Sequence, residues 1–86
     1  MACYNVMTVL TNNRIKNVAR LQEVLTKSGC IIKTRLGLHE AGDACSNEGL
    51  IILQLIGNKE EIAQLEEELT AIDGIKAKNI EICSEW

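Results

Sequence analysis

"GLIILQLIGNKEEIAQLEEEL", residues Gly49 to Leu69, runs two periodicities back to back. From Leu50 to Ile56 every position except Gln54 is apolar, the pattern of a central strand covered on both faces. After Gly57 the spacing changes. Ile62, Leu65, Leu69 and Ile72 recur at three- and four-residue intervals and form the buried stripe of an amphipathic helix. Asn58 followed three residues later by Glu61 is a capping-box pattern, and the acidic first turn suits the positive end of the helix dipole. The run Glu66, Glu67, Glu68 then falls on the solvated face, and Asp73-Gly74 closes the helix. A strand that needs cover on both sides is thus followed at once by a helix that can cover only one.

Outward from that stretch, Cys3 to Leu10 mixes β-branched and apolar residues and runs into the polar cluster Thr11-Asn12-Asn13-Arg14, a strand and then a turn. From Arg14 to Ser28 a helix is expected. Ile15, Val18, Leu21 and Leu25 share one face, Lys16, Arg20, Glu23 and Lys27 the other, and Gly29 supplies a left-handed stop. Residues Cys30 to Leu38 alternate, with Ile32, Thr34, Leu36 and Leu38 opposite Ile31, Lys33, Arg35 and Gly37. A last strand spans Ile75 to Cys83, with Ile80 and Ile82 on one side. Strand, helix, strand, strand, helix, strand is the split βαβ order. It predicts one ferredoxin-like α+β domain over residues 1–86: a four-stranded antiparallel sheet with two helices on one face, the fourth strand beside the first and the third beside the second.

The chain has 86 residues, no Phe, and only Tyr4 and Trp86 as large aromatics, so its core is built from Ile, Leu and Val. A domain this small buries a modest share of its unfolded surface, and self-association would help it. The net charge of −3 offers no electrostatic footprint for phosphate backbones, which argues against direct nucleic-acid binding. The start, "MACYNVMTVL", has neither a basic leader nor a long apolar segment, and the run Leu50 to Leu53 is far too short to span a bilayer, which takes ~20 residues. A cytoplasmic protein with no membrane partner is expected. Four cysteines, Cys3, Cys30, Cys45 and Cys83, form no CxxC pair and are read as reduced thiols.

"RLGL" closing the second strand, "GLIIL" opening the third, "GNKEEIAQLEEEL" on the second helix and "DGIKAK" leading into the last strand resemble the iron-only hydrogenase system regulator family. That family is similar to ACT domains and to the C-terminal ligand-binding domain of the nickel-responsive repressor. The resemblance covers nearly the whole chain. It implies an oligomeric regulatory domain, ligand-responsive or protein-interacting, tied to iron-only hydrogenase or iron–sulfur metabolism, with no catalytic residues and no cofactor. This chain departs from the repressor in having no ribbon-helix-helix segment before its first strand and only His39 in place of several histidines. It departs from ACT domains in a turn, Thr11 to Arg14, that lacks glycine.

Three places are candidates for chemistry. The connection from His39 to Glu48 is long for a hairpin, which usually needs two to five residues, and His39, Asp43 and Cys45 are ligand types that Zn²⁺ accepts. It is read first as a plain loop ordered by contacts within an oligomer. The alternative is a metal-binding protein or a metal- or thiol-dependent enzyme, against which stand the single His, the lack of a nucleophile motif and the carboxylates gathered on a solvated helix face. At the start of the first helix, Asn12, Asn13 and Arg14 either cap the helix or hold a small anionic effector on free backbone N–H groups. Finally, Cys3 and Cys83 fall at one edge of the sheet on adjacent strands, with Cys30 two strand spacings away, roughly 9.6 Å. Structural thiols are the default there, a redox pair or shared metal the sharper alternative.

Two helices cannot cover both faces of this sheet. Gln54 marks the side it shares with Leu50, Ile52 and Ile56 as the outer one, because a lone amide is easier to satisfy between subunits than in an aliphatic core. These four residues are the expected interface of a homo-oligomer, most simply a two-fold dimer. The charge balance adds a direct test: at moderate salt the purified chain should show no measurable affinity for duplex DNA. Sequence-selective retardation of DNA by the chain alone would contradict this.

Overall fold

The computed structural model describes residues 2–12, 18–38 and 48–85. Its elements are β1 (Ala2–Asn12), α1 (Val18–Lys27), β2 (Ile32–Leu38), β3 (Glu48–Leu55), α2 (Lys59–Thr70) and β4 (Ile75–Ser84), with a short 3₁₀ turn at Gly29–Ile31. The strands form one sheet in the order β2-β3-β1-β4, every neighbouring pair antiparallel. This is the ferredoxin-like arrangement expected from the order of elements.

β1 lies inside the sheet and pairs along most of its length with both neighbours, from Asn5 to Asn12 with β3 and from Ala2 to Thr11 with β4. Its alternation sorts the two faces. Met7 and Val9 point to the helices and are fully buried, with Leu53 and Leu55 of β3 and Ile75 of β4 beside them. Leu21, Val24 and Leu25 of α1 and Ile62, Leu65 and Leu69 of α2, followed by Ile72, close this core from above. The core holds no buried polar or charged residue among those described.

The capping box at α2 forms as read. Asn58 Oδ1 accepts from the Glu61 N–H at 2.8 Å, and the Asn58 N–H donates to Glu61 Oε1 at 3.0 Å. Past the helix, Gly74 takes φ 89°, a left-handed conformation that a side chain would strain, and so turns the chain into β4.

The structure departs from the sequence pattern at β2. Gly29 does not adopt a left-handed stop; the chain instead tightens into the 3₁₀ turn, which takes Cys30 and Ile31 out of the strand. The register with β3 also shifts between Ile32 and Thr34. Ile32 pairs with Leu55 and packs on the core, whereas Thr34 and Leu36 pair with Gln54 and Ile52 on the opposite face. A one-residue bulge turns a regular alternation into one that changes sides. The first helix was expected from Arg14; residues 13–17 lie outside those described, and α1 is seen from Val18.

Core truncation should dominate stability. Leu69→Ala is expected to lower the unfolding free energy by about 2–5 kcal/mol and Asn58→Ala by about 1 kcal/mol, measured by urea denaturation.

Candidate functional site

The sheet brings its reactive side chains together where β1 begins and β4 ends. The Asn79 N–H donates to Glu66 Oε2 at 2.6 Å and therefore points away from β1. Met7 opposite Asn79 is then a non-hydrogen-bonded pair, in which antiparallel side chains stand closest. Stepping by two along the ladder, Asn5 opposite Glu81 and Cys3 opposite Cys83 are close pairs on the same face. Cys3 and Cys83 have their Cα atoms 3.9 Å apart and are joined by a disulfide. This corrects the reading of all cysteines as reduced thiols. Adjacency on two paired strands has decided the matter where spacing along the chain could not. Neither cysteine is buried, and Cys30 is an exposed free thiol.

Glu81 completes the cluster. One of its carboxylate oxygens and the two sulfurs all lie within 4.8 Å of one another. Among the described residues Glu81 makes no ion pair. The sequence contained its signal, a carboxylate two residues before a strand cysteine and hence on the same face, but the pairing of Cys3 with Cys83 had to be known first.

Next to this cluster a pocket of about 280 Å³ opens between α2 and the β1/β4 pair, lined by Asn5, Lys59, Ile62, Glu66, Asn79 and Glu81 among others. Asn79 Nδ2 donates to Asn5 Oδ1 at 3.0 Å, and the buried Asn79 Oδ1 has no hydrogen-bond partner among the described residues. Glu66 is not simply solvated, since it caps an edge N–H of β4. Glu68 is also engaged. The amide of Gln64 donates to its Oε1 at 3.0 Å and is the main cause holding its carboxyl below the ordinary value of 4.5; partial burial opposes the shift, and Lys27 and Arg20 reinforce it. Only Glu67 of the run remains plainly exposed.

Among the described residues, no helix lies on the far face of the sheet. Tyr4 (54% exposed), Ile80 (51%) and Ile82 (67%) stand with Val6 at one corner, Leu36 (52%) at the other side, and Ile56 (61%) just beyond β3. Leu50, Ile52 and Gln54 are half-buried on this same face, paired with Leu10, Thr8 and Val6 of β1.

The remaining candidates separate. Asn12 ends β1 opposite Glu48, its N–H donating to the Gly74 carbonyl at 3.1 Å, so it belongs to the strand and not to the turn. Asn13 and Arg14 lie outside the described residues, as do His39, Asp43 and Cys45.

No protein-family profile matches the chain, and no curated protein matches it. Solved structures do share its fold. An uncharacterized protein of Thermotoga maritima superposes with a TM-score of 0.82 at 22% identity, covering 93% of this chain and 96% of that one. A nitrogen regulatory PII-like protein of Thiomonas intermedia K12, solved with ADP, AMP and bicarbonate, gives 0.55 at 14% identity over 99% of this chain and 98% of its own. A dimeric ferredoxin-like protein from an uncultured marine organism gives 0.50 at 8% identity, over 98% of each chain. The chain therefore has a ferredoxin-like fold, which it shares with a PII-like protein.

Two consequences of the polar contacts can be measured. Glu66→Ala removes the acceptor for the Asn79 N–H and should cost about 1–2 kcal/mol, with faster amide exchange at Asn79. Glu68, whose folded value is lowered, contributes stability above its unfolded titration range and loses it as pH falls through the lowered value. In Gln64→Ala the Glu68 titration followed by NMR should move up toward its ordinary value.

Proposed function

We propose that this chain is a small non-catalytic regulatory module that works as a homo-oligomer, most simply a two-fold dimer joined through the open sheet face. The observation that carries the reading is that face itself. Tyr4, Val6, Leu36, Ile56, Ile80 and Ile82 are all exposed, far more large apolar surface than scattered single residues would give. Burying it is favourable by roughly 25 cal/mol per Å² before association costs, and a closed two-fold contact uses the same patch twice. That one structure of the same fold is a dimeric ferredoxin-like protein supports the assembly. Gln54, half-buried amid the patch, then finds its partner across the interface.

The signal such a module relays is a small-molecule effector or a protein partner. The PII-like structure bound to ADP, AMP and bicarbonate supports the effector reading for a domain of this shape. The resemblance of "RLGL", "GLIIL" and "DGIKAK" to the iron-only hydrogenase system regulators supports a role for the relay in iron-only hydrogenase or iron–sulfur metabolism.

Sedimentation velocity at micromolar concentration tests the assembly. Wild type should sediment as a dimer or larger, Ile52→Asp as a monomer or a poorly soluble chain, and Ser28→Asp, beyond the end of α1, like wild type. A stable wild-type monomer would refute the proposal.

A further inference from the structure

We propose that Cys3, Cys83 and Glu81 form a redox-gated site for a thiophilic divalent cation such as Zn²⁺: closed as the disulfide, open to metal when the pair is reduced. The geometry supplies the ligands without rearranging the sheet. Cys3 and Cys83 are direct cross-strand partners, and Glu81 lies on their face two residues along β4. The three ligand atoms already lie within 4.8 Å of one another. A tetrahedral zinc with Zn–S of about 2.3 Å and Zn–O of about 2.1 Å separates its ligand atoms by roughly 3.5–3.8 Å, so the sulfurs need only rotate apart once their bond is broken. Water fills the fourth position at this solvent-accessible end of the sheet.

Electrostatics supplies the reason for a cation. Reduction that left two thiolates would gather three negative charges in one small cluster, and Glu81 has no ion-pair partner among the described residues to relieve them. Two states avoid the repulsion: protonated thiols, or thiolates neutralised by a divalent ion. Binding of Zn²⁺ to the reduced pair therefore expels the two thiol protons. The gate runs by thiol–disulfide exchange. A dithiol reductant attacks one sulfur as its thiolate, a mixed disulfide forms with release of the other cysteine thiolate, and the reductant's second thiol displaces the remaining cysteine; two electrons pass to the protein and the reductant leaves as its own disulfide. In reverse, a low-molecular-weight disulfide takes two electrons from the bound thiolates, leaves as two thiolates, and sets the metal free.

The full-length chain titrated anaerobically with Co²⁺ decides the matter, because cobalt bound to thiolate gives a near-ultraviolet charge-transfer band. Reduced with a phosphine, the wild type should bind one Co²⁺ per chain with that band, and Zn²⁺ should displace it; the oxidised protein should show none. Cys3→Ser and Cys83→Ser should each abolish one-to-one binding, and Glu81→Gln should keep the band but weaken affinity by about tenfold or more. Cys30→Ser and the double variant His39→Ala/Cys45→Ala should bind like wild type. Circular dichroism of the reduced, metal-free chain should show the folded spectrum, which separates lost ligands from lost structure. The proposal is overturned if the reduced wild type is folded yet binds no more cobalt than the oxidised protein, if Glu81→Gln binds with undiminished affinity, or if the band persists in Cys83→Ser and vanishes in His39→Ala/Cys45→Ala.

Discussion

Everything in this fold depends on β1 being paired on both sides. From Asn5 to Thr11 the strand is flanked by both β3 and β4, so its alternation divides the sheet around it into two surfaces. On one, Met7 and Val9 anchor a core of aliphatic side chains under α1 and α2. On the other, Val6, Thr8 and Leu10 join Gln54, Ile52 and Leu50 in a surface that is mostly apolar and that no described helix covers. Both helices lie on the first side.

The same strand also orders the chemistry along its other ladder. Proceeding from the core toward the start of β1, the close pairs are Val9 with Ala77, Met7 with Asn79, Asn5 with Glu81 and Cys3 with Cys83. Hydrophobic contact gives way to an amide, then a carboxylate, then a covalent bond, as cover by α2 runs out. β4 is an edge strand, and an edge with unpaired N–H groups invites further strands. Glu66 answers this at Asn79 by accepting the outward N–H from above. The disulfide fastens the far end of the same strand pair, closing a sequence separation of 80 residues.

Much of this was legible in the residues. The Asn58–Glu61 box and the stripe Ile62, Leu65, Leu69, Ile72 read directly, because capping and helical burial are local rules with local signatures. Gln54 marked the uncovered face of β3 because one polar residue in an apolar strand breaks the symmetry between its two sides. What could not be read depended on contacts far away in the chain. The bulge at Ile32/Thr34 follows directly on the 3₁₀ turn and shows only in the pairing with β3, and nothing in "CIIKTRLGL" announces it. Glu66 looked solvated, since its partner lies on another element. Cys3 and Cys83 could be placed near one another from topology, but whether they share a bond depends on which rung of the ladder each occupies.

That last point bears on how small domains of this kind acquire new sites. The ladder requires only that residues at Cys3 and Cys83 be compatible with a strand, and it sets them directly opposite one another as a close cross-strand pair. A carboxylate two residues away on β4 falls on the same face by the period of the strand alone. Bringing three chemically matched groups together thus needs no loop, no added element and no strain in the core, because Met7, Val9 and Ile75 support the other end of the same two strands. The reactive end is peripheral to the core and is covalently tied to it through both strands. Its chemistry can change state while the packing beneath α1 and α2 stays as it is.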